Sequence, residues 1–352
     1  MSLKRDLGRA RYAAAQGARV AWYMGQYLMA RRISGPFNRP GEPQFQPQAP
    51  EGDQQRIRDA FLALFALDRL NIEMGLYPAP NDLRVTRALS ALKNSSRFFQ
   101  DLPNVDRRRV QRAGVEVREA GRAEGRYPTY YLQNFHYQSG GWLTEDSARL
   151  YDTQVEILFG GAADAMRRIA LGALAAALRG QDQRQVKLID LACGNGRFLR
   201  QIMAAFPRLP ATGLDLSPAY CAEARTRLAP WAQVEIVNGA VEQAPFEDGC
   251  FDAATCVYLF HELPPRVRRE AAREMARLLK PGGVLVFADS IQTGDHGDLD
   301  RMLEYFPVGF HEPYYGSYLK EDLPALFAEA GFEAEETTNA FLTKIIRFRK
   351  AA

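Results

Sequence analysis

The chain has 352 residues, 47% of them hydrophobic and 25% charged, and a formal net charge of +3. That length exceeds one small module and can bury a sizeable core without staples, while so small a net charge excludes a strong electrostatic commitment of the whole molecule to nucleic acid or membrane. Cys193, Cys221, Cys250 and Cys256 make no C-x-x-C pair or zinc spacing, no apolar run approaches the ~18–20 residues of a spanning helix, and the N-terminus lacks a secretory pattern, so a cytoplasmic, reduced protein without a disulfide scaffold or a metal site is expected.

Leu3 to Ile33 reads as a basic amphipathic helix, with Val20, Tyr23, Met24, Tyr27 and Leu28 on one stripe. Lys4, Arg5, Arg9, Arg11, Arg19, Arg31 and Arg32 face one acid, Asp6. Such a helix suits packing on its own domain or a sister subunit in a homodimer, and it also suits peripheral contact with an anionic membrane surface. Residues 34–53, rich in Pro, Gly and Gln, read as a linker. Residues 54–125 read as a helical region for substrate access or assembly: a helix begins at Asp53 and runs to Tyr77, and further helices are expected over Leu83–Phe99 and Val105–Ala120. Residues 126–180 bring an aromatic segment, suited to a lid, and an entry helix N-capped by Thr144 and periodic as far as Arg179.

Residues 181–352 alternate short apolar runs with amphipathic helices, the pattern of a parallel α/β sheet. The runs are Lys187–Ala192, Ala211–Asp215, Val234–Val237, Phe251–Leu259, Val284–Asp289 and a closing pair, Glu333–Ala340 and Leu342–Phe348, near enough to form an antiparallel hairpin. Helices fit at Phe198–Phe206, Pro218–Leu228, Arg266–Leu279 and Leu323–Ala330. Within LIDLACGNGRFLRQI, Gly194 and Gly196 allow a tight turn and close backbone approach, and the helix that follows offers free N–H groups. Asp215 ends the second strand, where an acid can accept both hydroxyls of a ribose. Asp190, ahead of the glycines, would repel a pyrophosphate and suits a cationic, amino-acid-bearing ligand.

At these residues the chain resembles the class I S-adenosylmethionine-dependent methyltransferases, from about Tyr151 to Arg349. The shared stretches are LIDLACGNG, GLDLS, VNGAVEQAPFEDGCFD, CVYLFHELP and LLKPGGVLVFAD. Among subgroups it is most similar to small-molecule enzymes related to ubiquinone-biosynthesis C-methyltransferases. The resemblance implies a Rossmann-like seven-stranded sheet with an antiparallel last strand, and S-adenosylmethionine as methyl donor with S-adenosylhomocysteine as product. It further implies a cofactor site of Asp190, Cys193 (in place of the first glycine), Gly194, Gly196, Asp215, Leu216, Cys256 and Tyr151. The family's usual Gly-Asp-Ala-Glu is here Gly239, Ala240, Val241 and Glu242, so backbone groups of Ala240 and Val241, or Glu242, would meet the adenine.

For a small aromatic or hydrophobic acceptor, His261 and His311 are the candidate bases, since imidazole titrates near working pH. His136, Trp142, Tyr258, Glu312, Tyr314 and Tyr315 are the candidate acceptor residues, from the two aromatic segments Tyr130–Trp142 and Tyr305–Tyr318 and the exit of the fourth strand. Two alternatives are an RNA methyltransferase, using Arg107–Arg109 and the first helix, and a non-catalytic S-adenosylmethionine-binding protein. Glu116, Glu119 and Glu124 near the former arginines deny it a clean basic face, and no nucleic-acid partner is expected.

Overall fold

Strands buried on both faces set the architecture. The computed structural model describes residues 2–34, 45–80, 85–118, 125 and 127–352. In chain order the principal elements are helices α1 (Ser2–Ser34), α2 (Gln54–Glu73), α3 (Val85–Gln111), α4 (Glu145–Leu158) and α5 (Ala163–Ala177), then β1 (Leu188–Leu191), α6 (Arg197–Ala205), β2 (Ala211–Asp215), α7 (Pro218–Leu228), β3 (Val234–Asn238), β4 (Phe251–Val257), α8 (Pro265–Leu278), β5 (Leu279–Ser290), α9 (Asp300–Gly309), α10 (Tyr315–Tyr318), α11 (Leu323–Glu329), β6 (Phe332–Ala340) and β7 (Thr343–Lys350).

The strands form one seven-stranded sheet in the order β3-β2-β1-β4-β5-β7-β6. β1 pairs in parallel with both β2 and β4, and β7 runs antiparallel to both β5 and β6. Every residue of β1 is buried, as expected of a central strand covered on both faces by helices. The order reverses at β1, and ligands of open α/β sheets bind outside the carboxyl ends of the strands at that switch point.

Buried carboxylates help fasten the helical N-terminal region to this core. Asp68 of α2, fully buried, receives Arg168 of α5 at 2.8 and 2.6 Å, the Tyr12 hydroxyl of α1 at 2.5 Å and the Tyr77 hydroxyl at 2.8 Å. These donors satisfy both oxygens of the buried side chain. α1 therefore packs on its own chain, though through a different face from the stripe seen in the sequence. Tyr12, Ala15, Gln26 and Ala30 are buried, while Met24 and Leu28 of that stripe are exposed together with Trp22, Met29 and Ile33. Polar partners explain the difference: Arg19 reaches Glu156 at 2.6 Å, Asp164 at 3.1 Å and the Gly161 carbonyl at 3.1 Å.

Two helix expectations need correction. The run from Thr144 to Arg179 is two helices, because Gly160 (φ 55°) and Gly161 (φ 86°) adopt left-handed backbone and end α4. The pair expected over Leu83–Phe99 and Val105–Ala120 is instead one helix, α3, which continues through Pro103 and ends at Gln111 before Arg112 (φ 52°); residues 81–84 and 119–124 lie outside the described residues. β5 begins five residues earlier than the apolar run suggests, since Leu279 pairs with Phe251 across a bulge. Of the segment 34–53, residues 35–44 lie outside the described residues. Its later part is held against the region of α9, with the Gln48 and Ala49 amides donating to Glu304 and the Asp53 amide to Asp298.

Candidate functional site

A cleft of about 1010 Å³, part of it open to solvent, lies at the carboxyl ends of β1, β2 and β4. Its floor is the turn from β1 to α6. Gly194 (φ 55°) and Gly196 (φ 75°) take left-handed backbone, and a Cβ on Gly196 would press on Leu228 and Ala224 of α7 at 3.0–3.1 Å. A Cβ on Gly194 would meet no atom nearer than Tyr220 at 4.0 Å, so the loop borders open space. Ala192 (φ 57°) and Tyr258 (φ 60°), beyond the ends of β1 and β4, also have left-handed backbone, and strain of this kind gathers at functional sites.

Two carboxylates flank that loop. Asp215 accepts the Gly194 amide at 2.8 Å and the Ser217 amide at 2.9 Å, which fixes the loop against β2. Burial raises its carboxyl to about 6 against the pull of these amides. Asp190 accepts the Thr255 hydroxyl at 2.6 Å through one oxygen, while its other oxygen is buried without a protein partner. Burial, opposed by Thr255 and reinforced by Asp215, pushes this carboxyl up to about 7. An unpartnered buried carboxylate oxygen is costly, and its position on the cleft marks where a ligand donor would relieve it.

The roof is aromatic. Tyr130, Tyr131, Phe135 and Trp142 come from the segment before α4, and Tyr151 from α4 itself. Ser217 donates to the Trp142 carbonyl at 2.6 Å, and the Ser147 and Tyr220 hydroxyls meet at 2.9 Å, so the roof is tied to α7. On the other side the Tyr130 hydroxyl donates to Glu242 at 2.5 Å. Arg167 and Arg197 bring positive charge to one end, both on Asp164, the carboxylate that also binds Arg19 of α1.

Of the residues expected from the sequence to hold a cofactor, Asp190, Cys193, Gly194, Asp215, Leu216, Val241, Glu242 and Tyr151 line this cleft. Gly196 stands behind the turn, Cys256 is fully buried in β4, and Ala240 is outside the lining. Among the expected acceptor residues Trp142 and Tyr258 line it; the Tyr258 hydroxyl meets Thr343 at 2.5 Å. The others form a layer beside the cleft in which the two aromatic segments meet. His136 pairs with buried Glu312 at 2.7 Å, His311 with Gln133 at 3.0 Å, and Tyr315 with Ser290 at 2.6 Å. Tyr314 packs against the cluster of Phe135, Trp142 and Tyr220. His136 (φ 57°), Tyr137 (φ 52°) and His311 (φ 50°) all have left-handed backbone in this layer.

The two candidate bases differ in charge. Burial would lower the His261 imidazole, yet the Asp289 carboxylate, 2.5 Å from its Nδ1, holds it up to about 10. Burial lowers His311 from its ordinary value. The sequence reasoning passed over Arg167, Arg197, Tyr220 and Glu262, all on the cleft. Only Glu262 carried a local signal, as the neighbour of His261 in YLFHELP. Of the arginines named for the RNA alternative, Arg108 pairs with Glu116 and Arg109 with Asp106. Among the described residues no group of three metal-ligating side chains occurs, and no helix is long and apolar enough to cross a membrane.

Residues 188–283 match a family described as a methyltransferase domain. The ubiquinone/menaquinone biosynthesis C-methyltransferase UbiE of Methylobacterium nodulans is 34% identical over 162 residues, which cover 45% of this chain and 62% of that protein. A demethylmenaquinone methyltransferase of Staphylococcus aureus is 28% identical over 170 residues, covering 43% of this chain and 69% of that protein. The chain thus spans less than two thirds of the first of these relatives. A solved structure of 1,6-didemethyltoxoflavin-N1-methyltransferase from Burkholderia thailandensis superposes with a TM-score of 0.41 at 19% identity, over 58% of this chain and 88% of that one, a likeness too slight to carry an argument.

Proposed function

We propose that this chain is a class I S-adenosylmethionine-dependent methyltransferase, a reading supported by the methyltransferase-domain match over residues 188–283, and that it methylates a small, hydroxylated aromatic acceptor of the quinol type. The observation that carries this reading is the pairing of Asp190, with its unpartnered buried oxygen, and Asp215 on either side of an open glycine turn. When bound, S-adenosylmethionine supplies an electrophilic methyl group on a sulfonium sulfur. Asp215 would accept the ribose hydroxyls, and Asp190 the amino group of the methionine portion. Arg167 or Arg197 would face its carboxylate, and Leu216 and Val241 would enclose the adenine.

The roof of Tyr130, Tyr131, Phe135 and Trp142 supplies a water-excluding surface that suits a planar ring. The layer of His136, His311, Glu312, Tyr314 and Tyr315 forms the outer wall of the acceptor pocket. His261, already paired with Asp289, positions the exit of β4. The two quinone-related relatives give the choice of ring its chemical sense, since their names describe methylation of quinone precursors. The test is transfer from methyl-labelled S-adenosylmethionine to a reduced 1,4-naphthohydroquinone under anaerobic conditions. Label in the organic product and stoichiometric S-adenosylhomocysteine are expected. Binding of the donor with no transfer to this ring, while a labelled amine or RNA forms, would refute the acceptor class.

A further inference from the structure

Glu262 faces the cleft, beyond the end of β4. Its side chain is 15% exposed, and His261 Nε2 stands 3.8 Å from Oε1, beyond hydrogen-bond reach. That imidazole is committed on its other side to Asp289. Three further carboxylates act on Glu262: Asp289, Glu312 and Asp215. The phenols of Tyr131, Tyr151 and Tyr220 are also within electrostatic range of it. Glu312 is itself 2% exposed and leaves one oxygen without a partner. Acidic groups therefore outnumber the one histidine that faces Glu262, in a place where water screens poorly.

We propose that Glu262 is the proton-accepting group of the cleft: it holds a proton while no ligand is bound, releases it when a sulfonium enters, and then takes the hydroxyl proton of an aromatic acceptor. The inference rests on the methyltransferase reading and deepens it. Burial, Glu312, Asp289 and Asp215 hold the carboxyl well above the ordinary carboxylate range, against the pull of His261. A positive charge brought into the same cleft favours the ionised form, so the carboxylate becomes available when the methyl donor is in place. A carboxylate raised in this way also lies closer in proton affinity to a phenol, which makes the transfer efficient. The balance is simple. The hydroxyl proton passes to Glu262, and the acceptor's electron pair forms the bond to the methyl carbon through oxygen or the adjacent ring carbon. The sulfur keeps the pair of the broken S–C bond, and attack through carbon ends with loss of that carbon's proton to solvent. His261, fixed by Asp289, is a positioning residue whose charge limits how far Glu262 rises.

S-adenosylmethionine and S-adenosylhomocysteine share the adenosine, amino and carboxylate groups and differ by the sulfonium methyl. Calorimetric titrations of each ligand in buffers of different ionisation enthalpy count the protons released on binding. Protons that move at Asp190 or Asp215 in response to the groups the two ligands share cancel in the difference, and Glu262→Gln isolates what the sulfonium displaces at Glu262. Over the pH range in which Glu262 titrates, the wild-type protein should release more protons with S-adenosylmethionine than with S-adenosylhomocysteine. Glu262→Gln should bind both ligands and abolish that difference. In His261→Asn the pH at which the difference is half-maximal should move upward, because a neighbouring cation is gone; a purely structural role for His261 would not move it. Equal proton counts in the wild type, or a difference that survives in Glu262→Gln, overturns the assignment. Failure of both ligands to bind the wild type overturns the methyltransferase reading, and the inference with it.

Discussion

On the cleft floor, Asp190 keeps one buried oxygen without a protein partner, and the Gly194 turn beside it borders open space. In the wall the histidines are engaged by this chain: His261 by Asp289, His136 by Glu312 and His311 by Gln133. Both regions bury polar groups, but the floor leaves its hydrogen-bonding capacity for a ligand whereas the wall spends most of its own on the fold. A polar residue type is therefore a poor guide to chemistry until its partners are known, and a free lone pair on a cleft is a better one.

The largest expected effect is on the wall. Asp289 is fully buried and accepts the Phe260 amide at 2.7 Å besides the His261 ring. Asp289→Ala strands the imidazolium and should cost about 3–5 kcal/mol of folding stability at neutral pH, read by urea denaturation. Because the folded-state value of His261 is raised to about 10 from 6.5, its contribution is complete below the unfolded value and is lost as the pH rises through the folded one. The gap between wild type and variant should therefore narrow across that interval. A gap independent of pH would remove the ion pair from the account.

The floor should respond with the opposite sign. The Asp190 carboxyl is raised from 3.8 to about 7 in the folded protein, so the folded state holds that proton more tightly and loses stability as the pH rises between these values. Asp190→Asn should stabilise the ligand-free protein by on the order of 4 kcal/mol above the folded value, and by little below the unfolded one. The same variant should bind S-adenosylmethionine more weakly. Destabilisation at alkaline pH would mean that Asp190 is a structural residue, and the contrast between floor and wall would collapse.

The fold was largely legible because it depends on local patterns: apolar runs separated by amphipathic helices, the glycines of the β1–α6 turn, and a hairpin too short to be parallel. The same locality made Asp190 and Asp215 recognisable, since both lie at strand ends beside that turn. Arg167 and Arg197 were not recognisable. Their approach to the cleft depends on Asp164, which the Gly160–Gly161 break presents to Arg19, a residue 145 positions earlier. Glu262 was hidden by its neighbour, because histidine draws attention by its titration range while a carboxyl acquires one only through burial. The residues of the wall were legible but their pairing was not, because His136–Glu312 and His311–Gln133 join segments more than 170 residues apart.

The central claim is that the floor holds an adenosine ligand through Asp215. Calorimetric titration of S-adenosylhomocysteine into the wild type and into Asp215→Ala tests it most directly, because the measurement needs neither the acceptor nor turnover. Binding to the wild type is expected, with a loss of roughly 1.5–3 kcal/mol in the variant as the charge-assisted bonds to ribose disappear. Equal affinity in the two proteins, or no binding to either, would contradict the account.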